Sequence, residues 1–421
     1  MTRLLIPLFL FSALPLWGNP FGVFHFNLPG ETAVERVEFL TDIGYDGLVM
    51  ILNNENRLNQ LAEYRAADPD FRIFAGYLVA HNVNRPEGPD PDHVRDVVSA
   101  LSDAGGKLWL IVNGSKEEEA VTLDIIRNVA DLAAEENVGL SLYPHDNTAI
   151  ESAEEALDYL QMARRSNISI TVHLCHEMRA GNGDRLHEVI AAVRPYLDIA
   201  SVSGTDTDVN QGSTDWSDVI KPLGQGDFDV SIFTHALAAE GFEGPVILHT
   251  FRLGGEPDSH YQDSFTFWES ELLIPPGSFA AWGARQFPDH QEYNDPDMSG
   301  PSAVPFDDGI ANLLKFAFGM DVRESGQDRL PETGMTSEFD PESGEEREHL
   351  ALTFHRDPGN AGIAYIVEAS SSADHWAEVL YDSRIDLQPN NLGDRMRITD
   401  SQPLDASARR FMRVRVLLLS P

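Results

Sequence analysis

From residue 22 to residue 272, short apolar runs alternate with longer segments of helical spacing. The apolar runs are 22–27 (GVFHFN), 46–52 (DGLVMIL), 72–80 (RIFAGYLVA), 107–112 (KLWLIV), 138–142 (VGLSL), 168–176 (ISITVHLCH), 197–203 (LDIASVS) and 245–250 (PVILHT). Runs of this length without strict alternation suit strands buried on both faces of a parallel sheet. The segments between them with helical character are 34–43, 57–66, 91–102, 117–136, 151–165, 185–193, 230–240 and 261–272. Thr32, with Glu35 three residues on, forms a capping box that starts the first helix. Eight strand–helix units over roughly 250 residues predict an α/β fold, a (β/α)8 TIM barrel. A doubly wound open sheet is the competing arrangement, but no glycine-rich dinucleotide turn follows the first strand.

The alternation stops near Leu273-Ile274-Pro275-Pro276-Gly277. Residues 279–290 read as a short helix and 306–320 as another, with Asp307 or Asp308 as its N-terminal cap. Residues 324–348 are polar and rich in Gly, Pro and acid, and read as a loop. From 350 onward, short β-type runs predict a small, mainly antiparallel appendage. At the other end, Thr2-Arg3 precedes an apolar run, 4–17, and then Gly18-Asn19-Pro20. That run is shorter than the ~20 residues a membrane span needs, and the layout is that of a secretory signal peptide. The expected domains are thus a signal peptide (1–18), a barrel (19–274) and a C-terminal module (275–421), helical over 279–322 and mainly β over 348–421. The mature chain is expected to lack a membrane span and to be exported, periplasmic or extracellular.

Composition narrows the function classes. Hydrophobic content of 42% is globular. A net charge of −38 argues against nucleic acid as a partner, because a phosphate backbone is repelled. Cys175 is the one cysteine, so no intrachain disulfide forms.

Chemistry in an α/β barrel gathers at the C-terminal ends of the strands. Those ends carry His25, Asn53, His81, Asn113, Tyr143 with His145 and Asp146, His173 with His176, Asp206, and His249. Imidazole binds divalent transition metals or moves protons near neutral pH. His173 and His176 point to opposite faces of an extended strand, so they share a ligand only if the chain bends after His173. Polar tips at all eight positions suit a small polyhydroxylated, carbohydrate-type substrate, with Lys221 or Asp206 orienting its hydroxyls. No paired carboxylates of the kind used in glycoside hydrolysis appear at the tips.

The segments LYPHDNTAIES (142–152), TVHLCHEMRAGNGDRLHEVI (171–190), PLGQGDFD (222–229) and GFEGPVILHTF (241–251) resemble the xylose-isomerase-like barrel superfamily. It includes sugar isomerases and epimerases and the endonuclease IV type, and the resemblance spans about 21–272. It implies one divalent metal held by Glu, Asp, His and Glu on strands five to eight, with two glutamates exchanging protons beside a sugar carbonyl. The matching positions here are Tyr143, His173, Ser203 and His249, and neither glutamate is present. The two-glutamate mechanism therefore does not carry over. Two readings follow from the resemblance. In one, a histidine-rich site isomerises, epimerises or eliminates. Tyr143, His145 and His249 are then catalytic, and His145, His173 and His249 are ligands for Mn, Mg, Co or Zn. His25, His81, Asn113, His176, Asp206 and Lys221 bind substrate. In the other, a degenerate barrel binds carbohydrate or acts as a scaffold. Asp307, Asp308, Gly309, Asn312 and Leu313-Leu314 resemble a C-terminal module found on exported bacterial proteins.

Overall fold

The computed structural model describes residues 18–253, 257–341, 344–376, 378–385, 391–392, 394–406 and 409–419. The segment read as a signal peptide lies outside the described residues except for Gly18. The chain divides into two compact units, Gly18–Ile274 and a second that begins at Pro275.

The first unit is a closed barrel of eight parallel strands in sequential order. The strands are β1 (Phe21–Phe24), β2 (Gly47–Ile51), β3 (Arg72–His81), β4 (Lys107–Asn113), β5 (Leu140–Leu142), β6 (Ile168–His173), β7 (Leu197–Val202) and β8 (Val246–Leu248). The sheet closes where Phe21, Gly22 and Val23 pair with Val246, Ile247 and Leu248. Between the strands run α1 (Ala33–Ile43), α2 (Glu55–Ala67), α3 (Pro91–Ala104), α4 (Glu119–Glu135), α5 (Ala153–Ala163), α6 (Leu174–Arg179), α7 (Leu186–Val193) and α8 (Ser231–Ala239), and α9 (Pro257–Phe267) follows β8. The expected capping box is present at α1, where Thr32 accepts from the Glu35 amide and the Glu35 carboxylate accepts from the Thr32 amide.

Alternation along each strand sorts side chains into two cores. Phe24, Val49, Ala75, Tyr77, Trp109, Ile111, Tyr143, Ile199 and Ile247 fill the lumen. Val23, Leu48, Met50, Leu108 and Leu110 belong to a separate, larger cluster that includes Leu40, Leu61, Val97 and Ile126 from the helices.

One departure from the sequence expectation shapes the site. Residues 174–176 are not strand; the chain turns directly from His173 into α6. The apolar run hid that turn because Leu174 and Cys175 are buried either way.

The second unit carries α10 (Phe279–Gln286), α11 (His290–Asn294), α12 (Pro296–Ser299) and α13 (Asn312–Phe318). Its strands are β9 (Glu332–Asp340), β10 (Glu345–His355), β11 (Ile363–Ser370), β12 (Glu378–Asp382), β13 (Asn391–Leu392), β14 (Arg395–Pro403) and β15 (Phe411–Leu418). They form antiparallel sheets of order β13-β14-β10-β9 and β12-β11-β15. Two expectations are corrected here. The helix expected at 306 starts only at Asn312, with Ala311 at its N-cap and no side-chain cap. Asp308 instead accepts from the Ile310 amide and pairs with buried Lys315 at 2.5 Å. The loop expected over 324–348 contains β9, an edge strand whose side chains are mostly exposed, so it leaves no apolar pattern to read.

Candidate active site

The turn after β6 brings three histidines together. It places the His176 ring 5.5 Å from that of His173 and 4.3 Å from that of His145. His145 lies on the loop after β5, which folds back on itself: the His145 amide donates to the Ile150 carbonyl at 2.8 Å. Glu177, fully buried on α6, accepts from the Ala153 amide at the start of α5 (2.8 Å) and from Asn182 (2.7 Å). One carboxylate thus ties the His176 helix to the element that follows His145. Burial pushes that carboxyl up to about 7.

His145 and His176, with His249, face a cavity of about 200 Å³. Tyr143, His145, His176, Trp216, Ile220, His249 and Phe251 line it from the β5–β8 side, and Phe24, Phe26, Ile51, Tyr77, Val79, Ile111 and Asn113 from the β1–β4 side. The mouth is therefore mostly apolar, contrary to the ring of polar tips the sequence suggested, and among the described residues no Asp, Glu, Lys or Arg lines the cavity. Trp216 sits 5.4 Å from both His145 and His176. It is held there by Arg179, whose fully buried guanidinium donates to the Asn210, Ser213 and Asp215 carbonyls, pairs with Asp218 at 2.5 Å, and lies 5.3 Å over the indole.

Burial dominates the electrostatics. The His249 imidazole is pushed down to about 3, that of His145 below its ordinary value, and those of His173 and His176 well below, all chiefly by desolvation. All four are neutral at pH 7. Burial also holds the Tyr143 hydroxyl well above its usual range. Tyr143 stacks on His173 at 3.8 Å, and its hydroxyl lies 3.3 Å from His249 Nε2. His145 Nδ1 lies 2.8 Å from the Asp146 carbonyl. His176 Nδ1 accepts from the Asp146 amide (3.3 Å), and His249 Nδ1 from the Phe251 amide (3.4 Å). His176 Nε2 and both His173 nitrogens are buried without a partner.

Not every strand-end candidate reaches the cavity. Asn113 does; His173 lies beside it, packed against Tyr143, Trp109 and Phe24. His25 does not, because alternation sends Phe24 and Phe26 inward and His25 toward α2, where Arg57 is 2.7 Å from its Nε2. His81 lines a separate polar cleft of about 750 Å³ with Asn53, Asn84, Arg85 and His93. Asp206 and Lys221 bind each other at 2.6 Å and do not line the cavity. Conversely, Cys175 as a metal donor, Arg179, Trp216 and the inward aromatics other than Tyr143 were not legible as site residues in the sequence. Strand parity at Phe24-His25-Phe26 is the one signal that pointed to any of them.

The donor set differs from the one that the sequence resemblance implies for a metal. At the four matching positions, Ser203 is buried and donates to the Val219 carbonyl (2.8 Å), Tyr143 faces His249, and no carboxylate is present. A hard ion that needs carboxylate oxygens does not fit. The donors that do converge, among the described residues, are Cys175, His176 and His249, one atom of each lying within 4.8 Å of the others. This is a softer set. His145 and His173, the other two ligand candidates, are not part of it.

No curated protein matches the sequence. Among solved structures, a 3-keto-D-glucoside 4-epimerase from E. coli matches at 16% identity, over 60% of this chain and 99% of its own, with a TM-score of 0.49. A D-allulose 3-epimerase from Methylomonas sp. matches at 16% identity, over 61% and 98%, with a TM-score of 0.49. The IOLI protein with a bound zinc atom matches at 18%, over 59% and 95%, with a TM-score of 0.46. The sequence model of the xylose isomerase-like TIM barrel family matches residues 37–271, more than half the chain. With the closed eight-stranded barrel, that match shows that the chain belongs to the xylose isomerase-like TIM barrel family.

Proposed function

We propose that the barrel is an enzyme that moves a proton beside the carbonyl of a small carbohydrate or oxidised glycoside. The observation that carries this reading is the meeting of neutral His145, His176 and His249 with Tyr143 in one cavity of about 200 Å³ that no carboxylate of the described residues lines. A neutral imidazole is a competent base near pH 7. Family membership supports the sugar class, and the aromatic walls suit the apolar face of a sugar ring. Export and a periplasmic or extracellular location belong to the same reading and rest on the layout of residues 1–18.

His145 stands on the β5 side of the cavity and His249 on the β8 side, with His176 packed beside His145. We assign the base to His145 and the binding of the carbonyl oxygen to the His176–His249 side. The Trp216 ring packs against both His145 and His176. The test is solvent-deuterium incorporation into a panel of aldoses, ketoses and 3-keto-glycosides. Wild-type protein is expected to exchange the hydrogen next to the carbonyl of at least one member, and His145→Ala to lose about a hundredfold or more. No exchange with any member overturns the reading and leaves a binding or scaffold barrel.

A second reading keeps a divalent metal, and the cluster of Cys175, His176 and His249 favours the softer Co or Zn over Mn or Mg. Elemental analysis of purified protein and of Cys175→Ser decides: a stoichiometric metal lost in the variant supports it.

A further inference from the structure

We infer that backbone hydrogen bonds sort the site histidines into two tautomers: His145 presents a bare Nε2, and His176 and His249 present Nε2–H. The inference rests on the proton-transfer reading and names the groups that carry it out.

The ordering comes from the other ring nitrogen in each case. His145 Nδ1 faces a carbonyl oxygen, that of Asp146, at 2.8 Å. A carbonyl only accepts, so Nδ1 holds the proton and Nε2 keeps its lone pair. His176 and His249 are the reverse. Their Nδ1 atoms face backbone N–H groups, those of Asp146 and Phe251. An amide N–H only donates, so each Nδ1 is bare and each Nε2 carries the hydrogen. One residue sets two of the three: Asp146 points its carbonyl at His145 and its amide at His176. A ring whose Nδ1 accepts an amide hydrogen has no proton there, so the single N–H of His176 and of His249 is on Nε2.

The two classes have different uses. His249 Nε2–H is directed at the Tyr143 oxygen (3.3 Å), which leaves the tyrosine hydroxyl hydrogen for another acceptor. His176 Nε2–H has no acceptor although it is buried. An unsatisfied buried donor is costly, and a ligand oxygen in the cavity would remove that cost. The step that follows is balanced without an outside oxidant. His145 Nε2 takes the proton from the carbon next to the carbonyl. The C–H electron pair becomes the new C=C bond, and the former C=O π pair moves onto oxygen. His176 Nε2–H hydrogen-bonds that developing oxyanion. The His145 Nε2 proton then returns to carbon.

The same tautomers oppose metal coordination through Nε2. A metal-bound imidazole ordinarily donates its other N–H to an acceptor. Here both Nδ1 atoms face donors, so moving the hydrogen to Nδ1 would set N–H against N–H. The convergence of Cys175, His176 and His249 is therefore geometric rather than a formed metal site.

The test is long-range ¹H–¹⁵N correlation spectroscopy on the wild-type chain with ¹⁵N-labelled histidine, near pH 7.5. Signals are assigned from His145→Gln, His176→Gln and His249→Gln. The expected result is an Nδ1–H pattern for His145 and Nε2–H patterns for His176 and His249, unchanged on adding one equivalent of ZnCl₂. An Nδ1–H pattern for His176, or shifts of the His176 and His249 signals with zinc, overturns the assignment. The functional reading fails separately: tautomers as stated with no deuterium exchange on any sugar overturn that reading and leave the sorting intact.

Discussion

The two halves of the barrel mouth are built for different work. The β5–β8 side carries His145, His176 and His249 with Tyr143, and their polar atoms are placed by the backbone of two loops and one helical turn. The β1–β4 side contributes Phe24, Phe26, Ile51, Tyr77, Val79 and Ile111, with Asn113 as its one polar amide. The first half holds groups able to move protons; the second offers a shaped apolar wall. A substitution on the first side should therefore act on turnover, and one on the second on binding. Buried nitrogens without partners occur on both sides: His173 and His176 leave three on the first, and His25 Nδ1 and Trp109 Nε1 are left on the second.

The largest separation is expected at His176. His176→Leu keeps the apolar contacts with Trp216 and removes the Nε2–H donor. It should lower kcat about a hundredfold with KM little changed, as loss of one oxyanion donor does. His176→Gln, which keeps an N–H, should recover part of that loss. Equal loss in both variants would show that the ring packs rather than donates.

The second effect concerns His25, which belongs to the β1–β4 half but faces away from the cavity. Burial, and then Arg57, lower its imidazole from 6.5 to about 4. As the pH falls, the unfolded chain takes up this proton first. Stability is therefore full above pH 6.5 and is lost progressively down to about pH 4, by up to about 3 kcal/mol. Denaturant unfolding at several pH values should show a shallower fall for His25→Gln. An identical pH slope in the variant rules out His25 as the source.

A smaller effect is expected on the apolar wall. Phe26→Leu should raise KM several-fold, about 1 kcal/mol of lost contact, with kcat nearly unchanged. A fall in kcat matching that of His176→Leu would erase the distinction between the halves. The smallest effect is expected at His173→Phe, which keeps an aromatic ring against Tyr143, Trp109 and Phe24 and removes two orphaned nitrogens. Its thermal midpoint should match or exceed that of the wild type. A loss above about 3 kcal/mol would mean that His173 makes a polar interaction essential to the folded state.

The fold was legible because strand and helix periods alternate over the whole first unit and because buried parallel strands need no polar face. His145, His176, His249 and Tyr143 were legible as strand-end residues, since barrel topology alone brings such ends to one mouth. What failed was direction. His25 was chosen over Phe24 and Phe26 because it is polar, although strand parity decides which side chain enters the lumen. His81 and the Lys221–Asp206 pair sit at the right height but open elsewhere or satisfy each other. Cys175 and Trp216 were not legible. The first depends on a bend after His173, and the second on a loop folded by Arg179, a residue 37 positions before it with no local pattern linking the two. The exposed strand β9 was missed for the opposite reason, because an edge strand with little burial leaves no hydrophobic trace.

The most direct measurement is solvent-deuterium exchange by chelator-treated protein shown by elemental analysis to be free of metal. With a sugar that the untreated enzyme turns over, the stripped wild type should keep its exchange rate while stripped His145→Ala loses it. Exchange that vanishes on stripping and returns with Zn²⁺ would contradict proton transfer carried by His145 and His176 alone.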